Sequence, residues 1–287
     1  MVEDPYRTGG LSLGWYRGNL HAASLRGTGH DLPKAVGAFY AGRGYGFLGI
    51  CDLNTYTWVE EYRSRTLTGV PMVAAAYPFG SLLALDMDHW LPATSLQGAV
   101  DWIAADGGLP ILAAPGGPER PVSDQEVLRL HRLFGLEVYD ARLEETKPEA
   151  ADATSLWDRL LSRGQRVFAF AGDDLTTLQD PATRARAWIV VSAPGPDLAS
   201  LLSAIQQGAF YASTGPAFHQ LGADGRTIRV ETDQGVAIRF IGRNGRLLAS
   251  RDGTSAAYTV SGNEGYVRVE LTSSDGGRAW SQPFWLS

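Results

Sequence analysis

The sequence predicts an α/β protein: a closed or nearly closed barrel of strands and helices, followed by a small antiparallel β domain. Three observations lead there. Before residue 218, short apolar runs alternate with amphipathic stretches at the spacing of strand–helix units. After His219 the helical period disappears. The later apolar runs are separated by hairpin-turn dipeptides.

In the first part the strand candidates are Arg17–His21, Gly46–Cys51, Val70–Ala75, Ser81–Asp86, Pro110–Ala114, Leu136–Asp140, Arg166–Ala171, Ala187–Ser192 and Ala209–Ala212. Helical patterns fall between most of them, over Leu32–Gly42, Ser95–Ala105, Ser123–Phe134, Thr154–Ser162 and Asp197–Gln207. Ser123-Asp-Gln-Glu126 has the form of a capping box, and Gly135 stands where that helix should stop. Alternation of this kind demands parallel strands joined by right-handed crossovers, and with seven or more strands a βα barrel is the economical closure.

In the second part, Thr227–Thr232, Val236–Ile241, Arg246–Ser250, Ala256–Val260, Gly265–Leu271 and Ala279–Trp285 are β-branched or aromatic runs. Asp224-Gly225, Asn244-Gly245, Asp252-Gly253 and Asp275-Gly276-Gly277 separate them as turn signals. The expected division is therefore a barrel over 1–217 and a β-sandwich or sheet over 218–287. The aromatic tail from Trp280 to Trp285 is expected to serve packing.

Composition narrows the function. Of 287 residues, 25 are Lys or Arg and 31 Asp or Glu, a net charge of −6 that leaves no basic stretch to neutralise phosphates, so no nucleic acid is expected as a partner. Cys51 is alone, which excludes a disulfide framework and a thiolate zinc site. The apolar run Met72–Leu85 is broken by Pro78 and Gly80 and is too short for a bilayer, so no membrane is expected either. The opening MVEDPYR lacks the basic and apolar regions of a secretory signal. The chain reads as cytoplasmic, and a trimmed form of an exported protein would read the same.

In βα barrels, chemistry sits at the carboxyl ends of the strands. Those positions carry His21, Asp52 with Asn54, then Asp86, Asp88 and His89, Ala114 before Pro115-Gly116-Gly117, Asp140, and Asp173-Asp174. Such a set describes an acidic mouth able to hold a divalent cation; the competing reading is that each strand-end Asp caps the following turn or helix. Ser24 has no activating partner, and no Gly-x-Ser-x-Gly elbow or phosphate-cradling glycine loop follows a strand. Cys51 reads as a small core residue, His131 as a semi-buried member of the stripe with Val127, Leu130 and Phe134, and His219 as junction packing. Asp86, Asp140 and Asp173 would also serve a paired-carboxylate glycosidase, were their separation right.

The segment GWYRGNLHAASLRGTGHDLPKAVGAFYAGRGYGFLGICDLNTYT resembles the opening of the PHP (polymerase and histidinol phosphatase) family, and more closely its CehA/McbA-like branch. In that branch the first strand ends in His-x-His-Thr, a Ser-Asp-Gly follows, and the second strand ends in Thr-Asp-His-Asn. The resemblance continues through LPILAAPGG, where the family has Ala-His-Pro, and through GLEVYDARLEE, SLWDRLLSRGQRVFAFAGDD and LLSAIQQGAFYASTGP. It closes on EGYVRVELTSSDGGRAWSQPFWL and so covers nearly the whole chain, carried by the order and spacing of the motifs together. It implies a PHP-type distorted (βα)7-like barrel, two or three metal ions, and hydrolysis of phosphoesters.

The departures from the family pattern bear on that function. The first histidine is His21, but the second position is Ala23; the Ser-Asp-Gly acid is Thr28, with Gly29 kept and His30 two residues on. Asp52 survives while its neighbouring His is Leu53, and the family's Glu falls among Ala74, Ala75 and Ala76. The His before Pro115 is Ala114; the last Asp is Asp173 or Asp174, and its His partner is Leu175 or Thr176. A divalent ion poised for hydrolysis needs about three protein ligands plus a water. Only His21 and one late Asp remain in register, with Asp52 as an orienting partner.

The first expectation is therefore a pseudoenzyme with no cofactor. Its pocket of His21, Ala23, Thr28, Asp52, Leu53, Ala114, Asp173, Asp174 and Thr176 would bind an unknown small molecule or a protein. The alternative is a divergent metal-dependent phosphoesterase with a reduced, rearranged site holding one Zn or Mn ion on His21, Asp173 or Asp174, and a recruited His30 or His89. A structural interaction protein working through its β-rich tail ranks third.

Overall fold

The computed structural model describes residues 1–7, 13–119 and 121–286. In the first part the strands of four or more residues are β1 (Gly14–Ala22), β2 (Phe47–Ile50), β3 (Met72–Tyr77), β4 (Gly80–Leu85), β5 (Leu109–Ala113), β6 (Gly135–Asp140), β7 (Phe168–Gly172), β8 (Trp188–Ala193) and β9 (Phe210–Ser213). Several are apolar at nearly every position because both faces are covered; all four residues of β2 are buried.

Two sheets form. Strands β3 to β7 make a five-stranded sheet in sequence order, and β1, β2, β8 and β9 belong to a larger sheet that also takes in the C-terminal strands. The two meet at single bridges, Ala22 with Leu175 and Leu53 with Ala74. Both bridges lie where β1 and β2 end, so this end of the sheets gathers the backbone around His21 and Asp52.

Strand direction departs from the all-parallel expectation. Pairs β1/β2, β5/β6 and β6/β7 are parallel, whereas β3/β4 and β4/β5 are antiparallel, as is β8 with both β1 and β9. The reason for the first reversal is length. Only Pro78 and Phe79 separate Tyr77 from Gly80, and a parallel crossover needs a dozen or more residues. The result is a sheet-rich mixed α/β fold without regular βα alternation.

The helices are α1 (Pro33–Ala41), α2 (Leu96–Ala105), α3 (Asp124–Val127), α4 (Ala141–Thr146), α5 (Pro148–Ala151), α6 (Thr154–Ser162) and α7 (Leu198–Gln206). Ser95, Ser123 and Asp197 each accept a backbone N–H from three residues on, satisfying a donor the first turn leaves free. The helix expected over Ser123–Phe134 stops at Val127. Beyond it Arg132 takes a positive φ of 61°, and the Phe134 N–H turns to the Pro110 carbonyl as the chain enters β6. His131 is consequently exposed, not semi-buried on a helical stripe.

The C-terminal strands are β10 (Phe218–Asp224), β11 (Thr227–Gly242), β12 (Arg246–Thr259), β13 (Tyr266–Thr272), β14 (Arg278–Ser281) and β15 (Phe284–Leu286). Asn244-Gly245 makes the turn between β11 and β12, both residues at positive φ. Asp252-Gly253 instead lies inside β12, opposite a register shift between Glu231 and Val236, so two expected runs fuse into one bent strand on each side. Strand β14 pairs with β9 on one side and β13 on the other, which continues the sheet of the first part. A buried Arg268 fastens β13 to α6 through two 2.8 Å bonds to the Asp158 carboxylate. Among the described residues no helix is long and apolar enough to cross a membrane.

Candidate metal and ligand site

Strand alternation places Asn19 and His21 on one face of β1, Glu137 lies within β6, and Asp174 follows β7 by two residues. These elements converge on the His21 ring. Its Nδ1 lies 2.7 Å from Glu137 Oε1 and its Nε2 lies 3.3 Å from Asp174 Oδ1. The other oxygen of Glu137 accepts the Ala114 N–H at 3.1 Å. The other oxygen of Asp174 accepts Arg142 Nε at 2.5 Å. Two backbone features permit this. Ala114 and Asp174 both sit in the left-handed region, at φ 40° and 47°, a conformation that costs non-glycine residues free energy and persists where the surroundings enforce it. At Gly172, a Cβ would stand 2.6 Å from His21 Cβ and 2.7 Å from Glu137 Oε1. Only glycine leaves that gap.

Asp140, at the end of β6, adds a third carboxylate. Its Oδ1 accepts the Leu143 N–H at 2.9 Å and caps α4, while its buried Oδ2 has no hydrogen-bond partner. One donor atom each from His21, Glu137 and Asp140 lies within 4.8 Å of the others. Burial pushes the Asp140 carboxyl up, reinforced by the charges of Asp174 and Glu137 and opposed by His21, to about 8. For His21 burial disfavours the charged ring, but Glu137 and Asp174 outweigh it and raise the ring to about 10, which favours the protonated ring as long as no cation displaces the proton.

Ala23, Thr28, Leu53, Ala74 and Ala114, which line the same cavity, carry no imidazole or carboxylate, so the donors gathered at His21 fit one cation and not a cluster of two or three. An imidazole and neighbouring carboxylates are donors for zinc or manganese, and Asp140 Oδ2 has no hydrogen-bond partner to compete with the ion.

Of the pocket residues expected from the sequence, His21, Ala23, Thr28, Leu53, Ala114, Asp174 and Thr176 line one cavity of about 310 Å³. Asp52 and Asp173 do not line it. Asp52 is fully buried and accepts the Ser24 N–H at 2.6 Å, the Ser24 hydroxyl at 2.5 Å and the Thr57 hydroxyl at 2.5 Å, anchoring the loop after β1. Asp173 accepts the Tyr40 hydroxyl, Asn19 Nδ2 and the N–H groups of Ala185, Arg186 and Ala187. Burial pushes Asp173 up to about 6 against the pull of those donors. His30 lines the exposed side of the cavity, outside the donor cluster of His21, Glu137 and Asp140. His89 is exposed between Asp88 and Asp106, away from the cavity lining.

Glu137 and Arg142 were not singled out from the sequence, and Asp140 was weighed there as one strand-end acid among several. The signal for Glu137 was available: a carboxylate inside the apolar run Leu-Glu-Val-Tyr of a covered strand needs a buried partner.

No family model matches the chain, and no curated protein matches it in sequence. Among solved structures it is similar to a two-domain protein from Bacteroides vulgatus containing a predicted PHP-like metal-dependent phosphoesterase. The identity is 14%, the match covers 95% of this chain and 96% of that one, and the TM-score is 0.51. An amidohydrolase from Chromobacterium violaceum, with bound sulfate and no metal, matches at 14% identity over 58% of this chain and 93% of its own, with a TM-score of 0.41. At such identity the first likeness shows a shared fold and nothing finer.

Proposed function

We propose that the chain is a divergent, PHP-like metal-dependent phosphoesterase of the CehA/McbA-like type, with a reduced site for one manganese or zinc ion. The observation that carries this is Asp140 Oδ2, a buried acceptor without a partner, within 4.8 Å of donors on His21 and Glu137. In this reading His21, Glu137, Asp140 and Asp174 hold the ion, replacing the set of His21, His30, Asp173 and Asp174 drawn from the sequence. A divalent cation there would polarise a phosphoryl oxygen of the substrate. The protein's own groups do the rest: Ala114 N–H holds Glu137 in place, and Arg142, tethered by Asp174, offers its guanidinium to a phosphate at the cavity wall. The barrel-like part over 1–217 carries the site, and the strands over 218–287 brace it through Arg268 and Asp158.

The test joins calorimetric titration of the full chain with Mn²⁺ to turnover of bis(p-nitrophenyl) phosphate. Binding of one ion with Mn²⁺-dependent turnover supports the reading; turnover that is absent despite bound Mn²⁺ removes the enzymatic half of it.

A second reading, a catalytically inactive binding module, is favoured by the His21 ring lying between two carboxylates. There a proton takes the place of the cation, and the apolar wall receives an organic ligand. Retention of the His21 proton in saturating Mn²⁺, followed by ring ¹⁵N shifts, would support it.

A further inference from the structure

The cavity lining is mixed. Ala23, Leu53, Ala74, Leu83, Ala113 and Ala114 contribute carbon, while His21, His30, Glu119, Asp174 and Arg142 contribute charge. The alanines matter twice, because their short side chains both open the space and leave it without hydrogen-bonding groups. At about 310 Å³ the cavity lies at the small end of the range for organic-ligand sites, about 300–1,000 Å³.

We infer that the substrate is a compact organic phosphate ester with an apolar body, and that sugar phosphates bind poorly. This rests on the reading of the site proposed above. The phosphoryl head is taken by the charged groups, with Arg142, which also faces Asp174 and Glu119, as its guanidinium partner. The alanine and leucine side chains take the body, burying apolar area against apolar area. A sugar placed there would turn its hydroxyls onto alanine and leucine, where they lose the bonds they make to water. Each such hydroxyl weakens binding by about a hundredfold. The hydroxyls of Thr28, Ser81 and Thr176 line the same cavity and could satisfy few of a sugar's groups.

The experiment is calorimetric titration of the full chain with phenylphosphonate and with ribose 5-phosphate, each with and without saturating Mn²⁺. Phenylphosphonate is expected to bind at least tenfold more tightly than ribose 5-phosphate. Equal or tighter binding of the sugar phosphate overturns the inference, as does failure of both probes in both conditions. Mn²⁺ stoichiometry, measured separately without either probe, judges the metal reading; a preference for phenylphosphonate without added Mn²⁺ supports the apolar body whichever way that stoichiometry falls. Ala23→Leu, which adds bulk to the cavity wall, is expected to lower phenylphosphonate affinity at least tenfold. Its melting temperature reports whether it folds, and if it does not, the two-probe comparison on the unaltered chain decides alone.

Discussion

His21 and Glu137 approach to 2.7 Å across a space that Gly172 leaves open. The contact joins β1 to β6, strands that belong to different sheets and lie more than a hundred residues apart. It sets the orientation of the imidazole on which the rest of the site depends.

Gly172→Ala tests that dependence. The added methyl would lie 2.6 Å from His21 Cβ in a buried region, so strand or side chain must move. We expect a loss of stability of about 1–3 kcal/mol, typical of overpacking, and a Mn²⁺ affinity at least tenfold weaker. Urea unfolding and calorimetry read the two effects, and unaltered values for both would contradict the role given to Gly172.

Asp52→Ala separates anchoring from ligation. Asp52 accepts three hydrogen bonds from Ser24 and Thr57 and lies off the cavity. Removing the carboxylate should destabilise the fold by about 2–4 kcal/mol by leaving buried donors unpaired. Mn²⁺ stoichiometry should stay at the value of the unaltered chain. Loss of the ion with stability retained would reverse the assignment.

Arg268→Ala addresses the brace between α6 and β13. The arginine is 2% exposed and pairs with Asp158 and Glu270, both buried. Truncation leaves Asp158 without its cation while Glu270 keeps Arg278, and a destabilisation of about 3–5 kcal/mol is expected by chemical denaturation. A change below about 1 kcal/mol, the range of surface ion pairs, would show that the network is solvated.

Acid stability should carry the mark of Glu264. Burial works to raise this carboxyl, but the Ser261 N–H and hydroxyl and the Tyr258 hydroxyl outweigh it and hold it at about 2, below the ordinary 4.5. A depressed folded-state pKa contributes stability in full above the unfolded value, and that contribution is lost as pH falls from 4.5 through 2. Glu264→Gln should therefore be less stable than the parent at pH 6 and should converge on it near pH 2. A constant difference across that range would contradict the assignment.

Much of the fold was legible in local chemistry. Ser95, Ser123 and Asp197 cap helices where their side chains announce it, and Asn244-Gly245 turns where its tolerance of positive φ allows. The β3/β4 hairpin is legible in principle, since two residues between apolar runs cannot carry a crossover. Asp52 and Asp173 bond segments distant in sequence, Ser24 for one and Ala185 to Ala187 for the other, so neither caps the turn that follows it; of the strand-end acids it is Asp140 that caps the next helix. Glu137 escaped notice because its meaning depends on His21, Ala114 and Gly172. Those residues become neighbours only when two sheets close, and no periodicity within a strand encodes that.

The central claim is that the cluster around His21 holds a single cation. Its most direct test is Mn²⁺ titration of the full chain by calorimetry, with metal content verified by mass spectrometry, beside an Asp140→Asn variant shown by circular dichroism to be folded. The account predicts one ion per chain in the parent and affinity reduced at least tenfold in the variant. No bound ion, two or more ions per chain, or an Asp140→Asn variant that binds like the parent would contradict it.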